Sequence, residues 1–175
     1  SQYELFKKYD NFSQNDYQSL SKYCKKVGIE FLSTPFDEEA VDFLDELMPF
    51  YKIASADITN IPFLRIIAKK QKPILISTGA SSLSEIDKAL NTISEVNPSV
   101  DISLLHCILN YPTQNANANL NMINALKVNY PDSNDKYHKK KYCWSIPYIC
   151  HMGKGNGLNF EKKLSYMIIS REEKK

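Results

Sequence analysis

A lysine stands inside one of the more apolar stretches of this chain, Tyr51-Lys52-Ile53-Ala54. An ammonium in such a strand is costly unless an anion meets it, or unless its stem snorkels past the strand end to Asp57 or to solvent. Three hydroxyls, those of Thr34, Ser55 and Ser77, close similar runs, and the backbone amides of the Ser77-Thr78-Gly79 turn offer further donors. A cation surrounded by neutral donors is what phosphate or carboxylate recognition requires. Each hydroxyl taken alone serves a local turn or cap equally well. Asp57 follows Ser55 by two positions, which in a continuing strand puts both on one side. Its carboxylate reads as a contact for a polyhydroxylated substrate or an acid–base group, and equally as an ion-pair partner. His106 closes another apolar run and reads either as a proton-transfer group or metal ligand, or as a hydrogen-bonded core residue.

The elements that must position these groups show a repeat. Runs ending in small polar residues lie at Phe31 to Asp37, Tyr51 to Asp57, Ile74 to Gly79 and Leu104 to Pro112. They recur every ~20–30 residues with an amphipathic stretch between, the rhythm of a βα repeat whose functional groups sit at strand ends. Ser13 or Asn15 caps a helix with Tyr17, Leu20, Cys24 and Val27 on one face and Gly28 at its end, and Ile29 to Leu32 then forms the first strand. Asp37 caps the next helix, Pro62 suits the first turn of another, and Ser82-Leu83-Ser84-Glu85 has capping-box spacing. The strands read as continuous apolar runs, as expected when helices cover a parallel sheet. Four parallel strands are therefore predicted near Phe31, Ile53, Leu75 and Leu104, with helices on one side. Their carboxyl ends would bring Thr34, Lys52, Ser55, Asp57, Ser77 and Tyr111 to one mouth.

Composition narrows the class. The 175 residues are 43% hydrophobic and 24% charged, ordinary values for one soluble domain. A net charge of +2 without an aromatic-interleaved basic stripe gives no case for nucleic acid. No apolar run approaches a membrane span and the N-terminus lacks a leader pattern, so a cytoplasmic protein without a membrane partner is expected. The four cysteines, at 24, 107, 143 and 150, lack CxxC spacing and read as reduced thiols, Cys24 and Cys107 as core packing. His138, Cys143, Cys150 and His151 lack the short ligand pairs of a zinc site. From about Asp132 the chain turns charged, then glycine-rich at Gly153 to Gly157, a run without the flanking strand and helix of a phosphate loop. That tail is expected to be irregular and weakly ordered, anchored by Ile146 to Ile149 and Leu164 to Ile169.

Taken together, Tyr3-Glu4-Leu5-Phe6-Lys7-Lys8, Phe31-Leu32-Ser33-Thr34-Pro35-Phe36, Tyr51-Lys52-Ile53-Ala54-Ser55-Ala56-Asp57-Ile58-Thr59-Asn60, Leu75-Ile76-Ser77-Thr78-Gly79, and Leu105-His106-Cys107 with Tyr111-Pro112-Thr113 resemble the sialic acid synthase family in order and spacing. The resemblance covers roughly residues 3 to 131. It implies an α/β fold, a partial (βα)8 TIM barrel corresponding to approximately strands 3 to 6, over residues 1–131, followed by the divergent tail 132–175. It implies condensation of phosphoenolpyruvate with an N-acetylated sugar, such as N-acetylmannosamine, with release of phosphate, and a divalent metal (Mn2+ or Mg2+) as cofactor. By the same resemblance Thr34, Lys52, Ser55 and Ser77 hold phosphoenolpyruvate, Tyr111 belongs to the sugar site, and Asp57 stands where the family often has a glutamate near the reacting sugar. Full-length members are expected to be homodimers.

Departures from the family pattern are as informative. Leu109 replaces a polar ligand contact. The chain is expected to begin after the family's first two strands, which carry an acid–base glutamate, and the two metal-binding histidine motifs are not found after Pro131; His138 and His151 do not take their place. The competing expectation is a non-catalytic fragment that retains only part of the phosphoenolpyruvate site. A weaker alternative is another phosphoenolpyruvate aldolase barrel.

Overall fold

A computed structural model describes residues 12–109, 113–130 and 140–144. Helix α1, Gln14–Val27, begins where Ser13 and Asp16 cap one another: the Ser13 side chain accepts from the Asp16 amide and Asp16 accepts the Ser13 amide at 2.8 Å. It ends at Gly28, whose φ of 77° is the left-handed conformation that glycine adopts without strain. Asp37 accepts the Ala40 amide at 2.7 Å and starts α2, Glu38–Asp45. Asn60 and Pro62 start α3, Ile61–Lys69, and the Ser82–Glu85 box starts α4, Leu83–Val96. A fifth helix, α5, spans Asn121–Asn129.

The strands are β1 (Tyr51–Ile53), β2 (Ile74–Ser77), β3 (Ile102–His106) and β4 (Lys140–Trp144). They pair in parallel and in sequence order, with α3, α4 and α5 as the successive crossovers. Register decides which residues face which way. Tyr51, Ile74 and Ile102 are aligned, as are Ile53, Ile76 and Leu104, and all six are buried in one cluster with Val41, Leu44, Leu64, Ile67, Leu90 and Ile93 of the helices. The helices thus cover one face of the sheet, and each fully buried Ile or Leu contributes about 1.5–3 kcal/mol of transfer free energy. The opposite face carries Lys52, Leu75 and Ser103 in one aligned row and Ser77 with Leu105 in the next.

Two expectations about strands change. Ile29 to Leu32 forms no strand among the described residues. Its backbone donors turn to local partners: the Ile29 amide reaches the Cys24 carbonyl at 3.0 Å and the Ser33 amide reaches Met48 Sδ at 3.0 Å. Apolar content still buries Phe31 and Leu32, and Phe31 meets the Tyr17 ring edge-on at 6.3 Å. A run can satisfy its side chains in a core without pairing its backbone, and a strand exists only when a neighbour supplies the ladder. In the other direction, the stretch expected as an irregular tail supplies β4, which pairs along all five residues of β3. The glycine run at Gly153 to Gly157 and the apolar anchors at Ile146 to Ile149 and Leu164 to Ile169 lie outside the described residues.

Candidate anion site at the strand ends

Strand alternation places Tyr51 and Ile53 against the helices and turns Lys52 to the other face. Leu75 and Leu105 are buried on that face, with Phe50 and Cys107 packed against them. Among the described residues the Lys52 ammonium makes no hydrogen bond or ion pair. Burial pulls its ammonium below the ordinary value of 10.5, and the nearby Cys107 and Asp57 push it back only in part. A half-buried cation with no direct carboxylate contact among the described residues is placed to attract an external anion.

Hydroxyls stand at the carboxyl ends of β1 and β2. Ser77, two positions beyond Leu75, shares its face and is 3% exposed at the end of β2. Ser55 opens the single turn of 3-10 helix at Ser55–Asp57 immediately after β1. The Gly79 amide donates to Ser55 Oγ at 3.0 Å, which joins the end of β1 to the end of β2. Strand alternation therefore does not carry through to Asp57: the chain has already coiled, so Ser55 and Asp57 do not inherit a common side from β1. Asp57 is partly buried and lies 3.5 Å from Asn60 Nδ2, while its charge still reaches Lys52.

The Ser77-Thr78-Gly79 amides are not the free donors that the sequence suggested. The Thr78 amide and hydroxyl both donate to the Leu105 carbonyl, at 2.9 and 3.0 Å, because the β2–β3 ladder runs one residue further than the apolar run. The Gly79 amide is taken by Ser55. Thr34 is half-buried and shares no hydrogen bond with Lys52, Ser55, Asp57 or Ser77 among the described residues. Tyr111 lies outside the described residues. His106 faces the helices, where Nε2 lies 2.9 Å from the Ala118 carbonyl, so it has the core role. A cleft of about 330 Å3 between Gln71, Asn97 and Asp101 lies at the amino ends of β2 and β3, away from this cluster.

The sequence reading placed the Gly79 amide among the ligand donors and Cys107 in core packing, but gave no role to the missing side chain at Gly79. A glycine at the end of an apolar strand, where no left-handed turn is required, signals close approach of another group. Among the described residues no three His, Cys, Asp or Glu side chains come together as a metal would need. His138 and His151 fall outside them. The described residues therefore do not fit a metal centre by themselves.

Residues 1–134 match the sequence profile of the NeuB family. The chain belongs to the NeuB family. It is 44% identical over 113 residues to the N,N'-diacetyllegionaminic acid synthase of Campylobacter jejuni, covering 63% of this chain and 34% of that protein. It is 36% identical over 131 residues to the human N-acetylneuraminate-9-phosphate synthase, covering 74% of this chain and 36% of that one. The chain thus spans about a third of the length of these relatives. Its fold matches the N-acetylneuraminic acid (sialic acid) synthetase of Leptospira borgpetersenii, solved in complex with citrate, with a TM-score of 0.67, 30% identity, and 76% of this chain and 44% of that chain covered. The resemblance read along residues 3 to 131 is thus a family relationship. Among the described residues of this NeuB-family chain, no helix is long and apolar enough to cross a membrane.

Proposed function

We propose that this NeuB-family chain carries part of the phosphoenolpyruvate site of a sugar-acid synthase, one that condenses phosphoenolpyruvate with N-acetylmannosamine or a related N-acetylated sugar and releases phosphate. The observation that carries this reading is the half-buried ammonium of Lys52, which has no hydrogen-bond or ion-pair partner among the described residues. Lys52 binds the anion and neutralises part of the charge that would otherwise oppose approach of the second substrate. Ser55 and Ser77 add hydroxyl donors from the adjacent strand ends, and Thr34 and Tyr111 are proposed to complete the phosphoenolpyruvate and sugar contacts respectively. Asp57 is assigned to the sugar, whose hydroxyls a carboxylate can accept. The sequential parallel sheet, with all its helices on one face, is read as a sector of a (βα)8 barrel.

Calorimetric titration of phosphoenolpyruvate into wild type and Lys52→Ala tests the proposal. Wild type should bind, and Lys52→Ala should bind at least about tenfold more weakly, since a charge-assisted contact is worth about 1.5–3 kcal/mol. Equal affinities would remove the anion site. Phosphate release with N-acetylmannosamine and Mn2+, measured on the same preparation, then separates a binding fragment from a working synthase.

A further inference from the structure

Gly79 is buried between Ser55 and Cys107, and its φ lies outside the left-handed region, so its backbone conformation does not explain the absence of a side chain. Space does. A Cβ built at Gly79 would stand 2.8 Å from Ser55 Oγ, 3.3 Å from Ser55 Cβ and 3.4 Å from Cys107 Cβ. The backbones on either side cannot retreat easily, so the Ser55 hydroxyl must give way. Ser55 sits in a turn closed by the Asp57 amide on the Ala54 carbonyl at 3.0 Å, and Gly79 follows Thr78, which is doubly bonded to Leu105.

We propose that Gly79 is a positioning residue for the anion site: its amide holds the Ser55 hydroxyl oxygen so that the Ser55 proton is presented to the ligand beside Lys52. This rests on the reading of Lys52 as the anion-binding cation. A serine hydroxyl has one proton to give and two lone pairs to receive. In solution it rotates among acceptors and donors. With the Gly79 amide donating into one lone pair at 3.0 Å, the oxygen is fixed in place and oriented as an acceptor towards β2, which leaves its proton for a second partner. A phosphate or carboxylate oxygen accepts that proton and also gains the cation of Lys52. Replacing Gly79 by alanine forces the hydroxyl to swing out of its place, and the site loses a donor although Ser55 itself is intact.

The test uses the whole chain and phosphoenolpyruvate as the probe. Ser55→Ala and Gly79→Ala should each raise the dissociation constant about tenfold, by loss of the same charge-assisted bond. In a Ser55→Gly background, where the obstructing atoms are gone, Gly79→Ala should fold and cause no further loss. A merely structural glycine would lower the melting temperature and leave the affinity of the folded protein unchanged. Amide exchange gives a readout that needs no variant at Gly79: the chain has only five glycines, so selective 15N-glycine labelling makes each amide readable. The Gly79 amide should exchange faster in Ser55→Ala than in wild type. Unchanged protection in Ser55→Ala, or wild-type affinity in folded Gly79→Ala while Lys52→Ala loses binding, overturns the positioning role and leaves the anion site standing. Wild-type affinity in Lys52→Ala overturns the anion site itself.

Discussion

The Tyr51 hydroxyl lies 2.8 Å from Asp45 Oδ1 and shares its proton with the Val41 carbonyl at 3.0 Å, which ties the first residue of β1 to the last turn of α2. Lys72 closes the same group from the start of β2: its Nζ lies 2.9 Å from Asp45 Oδ1 and 3.0 Å from the Met48 carbonyl, and it also donates to the Asp45 carbonyl. The strand that carries Lys52 is therefore held at its amino end by a polar cluster on the helix side.

That cluster predicts an alkaline weakness. Burial raises the Tyr51 hydroxyl well above its ordinary value of 10.0, and the bond to Asp45 and the charges of Asp45 and Asp42 act in the same direction. A group whose folded value is raised contributes stability that is complete below the unfolded value and is lost as pH rises above it. Urea denaturation followed from neutral pH upward should show wild type losing stability beyond about pH 10. Tyr51→Phe should start about 1–2 kcal/mol less stable and show a flatter alkaline arm. An identical alkaline slope in the two proteins would count against this role.

Asp45 governs the acid arm. Burial alone would raise its carboxyl, but the hydrogen bonds of Lys72 and Tyr51 and the charges of Lys72 and Lys70 outweigh burial and hold it below the ordinary 3.8. A lowered carboxyl contributes stability present above the unfolded value and lost as pH falls through the folded one. Asp45→Asn should cost about 1–2 kcal/mol at neutral pH and reduce the fall in stability below about pH 4. Acid titration of both proteins by circular dichroism measures the difference.

The half-buried Lys52 makes anion binding sensitive to pH in a range where an exposed lysine is indifferent. Burial lowers its ammonium from 10.5, so the cation is lost earlier as pH rises. Phosphoenolpyruvate affinity of wild type should decline on the alkaline side while Lys52→Arg, whose guanidinium stays charged, keeps a flat profile at its own affinity. Parallel profiles from calorimetry at a series of pH values would show that another group controls the decline.

His106 should matter for folding and not for the ligand. Its ring bonds the Ala118 carbonyl on the helix side of the sheet, and both residues are buried. His106→Phe leaves that acceptor unpaired at a cost of about 1–3 kcal/mol. Thermal melting should record the loss, and the phosphoenolpyruvate dissociation constant of the folded protein should stay at the wild-type value. A raised dissociation constant without loss of stability would place the ring in the site.

Local chemistry was readable without tertiary structure. The Ser13–Asp16 and Ser82–Glu85 boxes, the Asp37 cap, Pro62 in the first turn of α3 and Gly28 beyond α1 all act within four residues of their partners, so their order in the chain suffices to specify them. Apolar runs likewise marked β1, β2 and β3, and the isolated lysine among them marked a cation inside a strand. The resemblance to the family was legible for the same reason, as types and spacings along one chain.

What the tertiary structure alone decided depends on partners distant in sequence. Ile29 to Leu32 and Lys140 to Trp144 differ in outcome because a strand requires a neighbour's ladder, and only the second finds one, in β3. The face of His106 followed from register, which moves every side chain to the other side with a one-residue slip. The amides of Thr78 and Gly79 were claimed by Leu105 and Ser55, 27 and 24 residues away. Composition along the chain sets which groups are available. Which of them remain free to meet a ligand is settled only when strands align and their ends compete for the same donors.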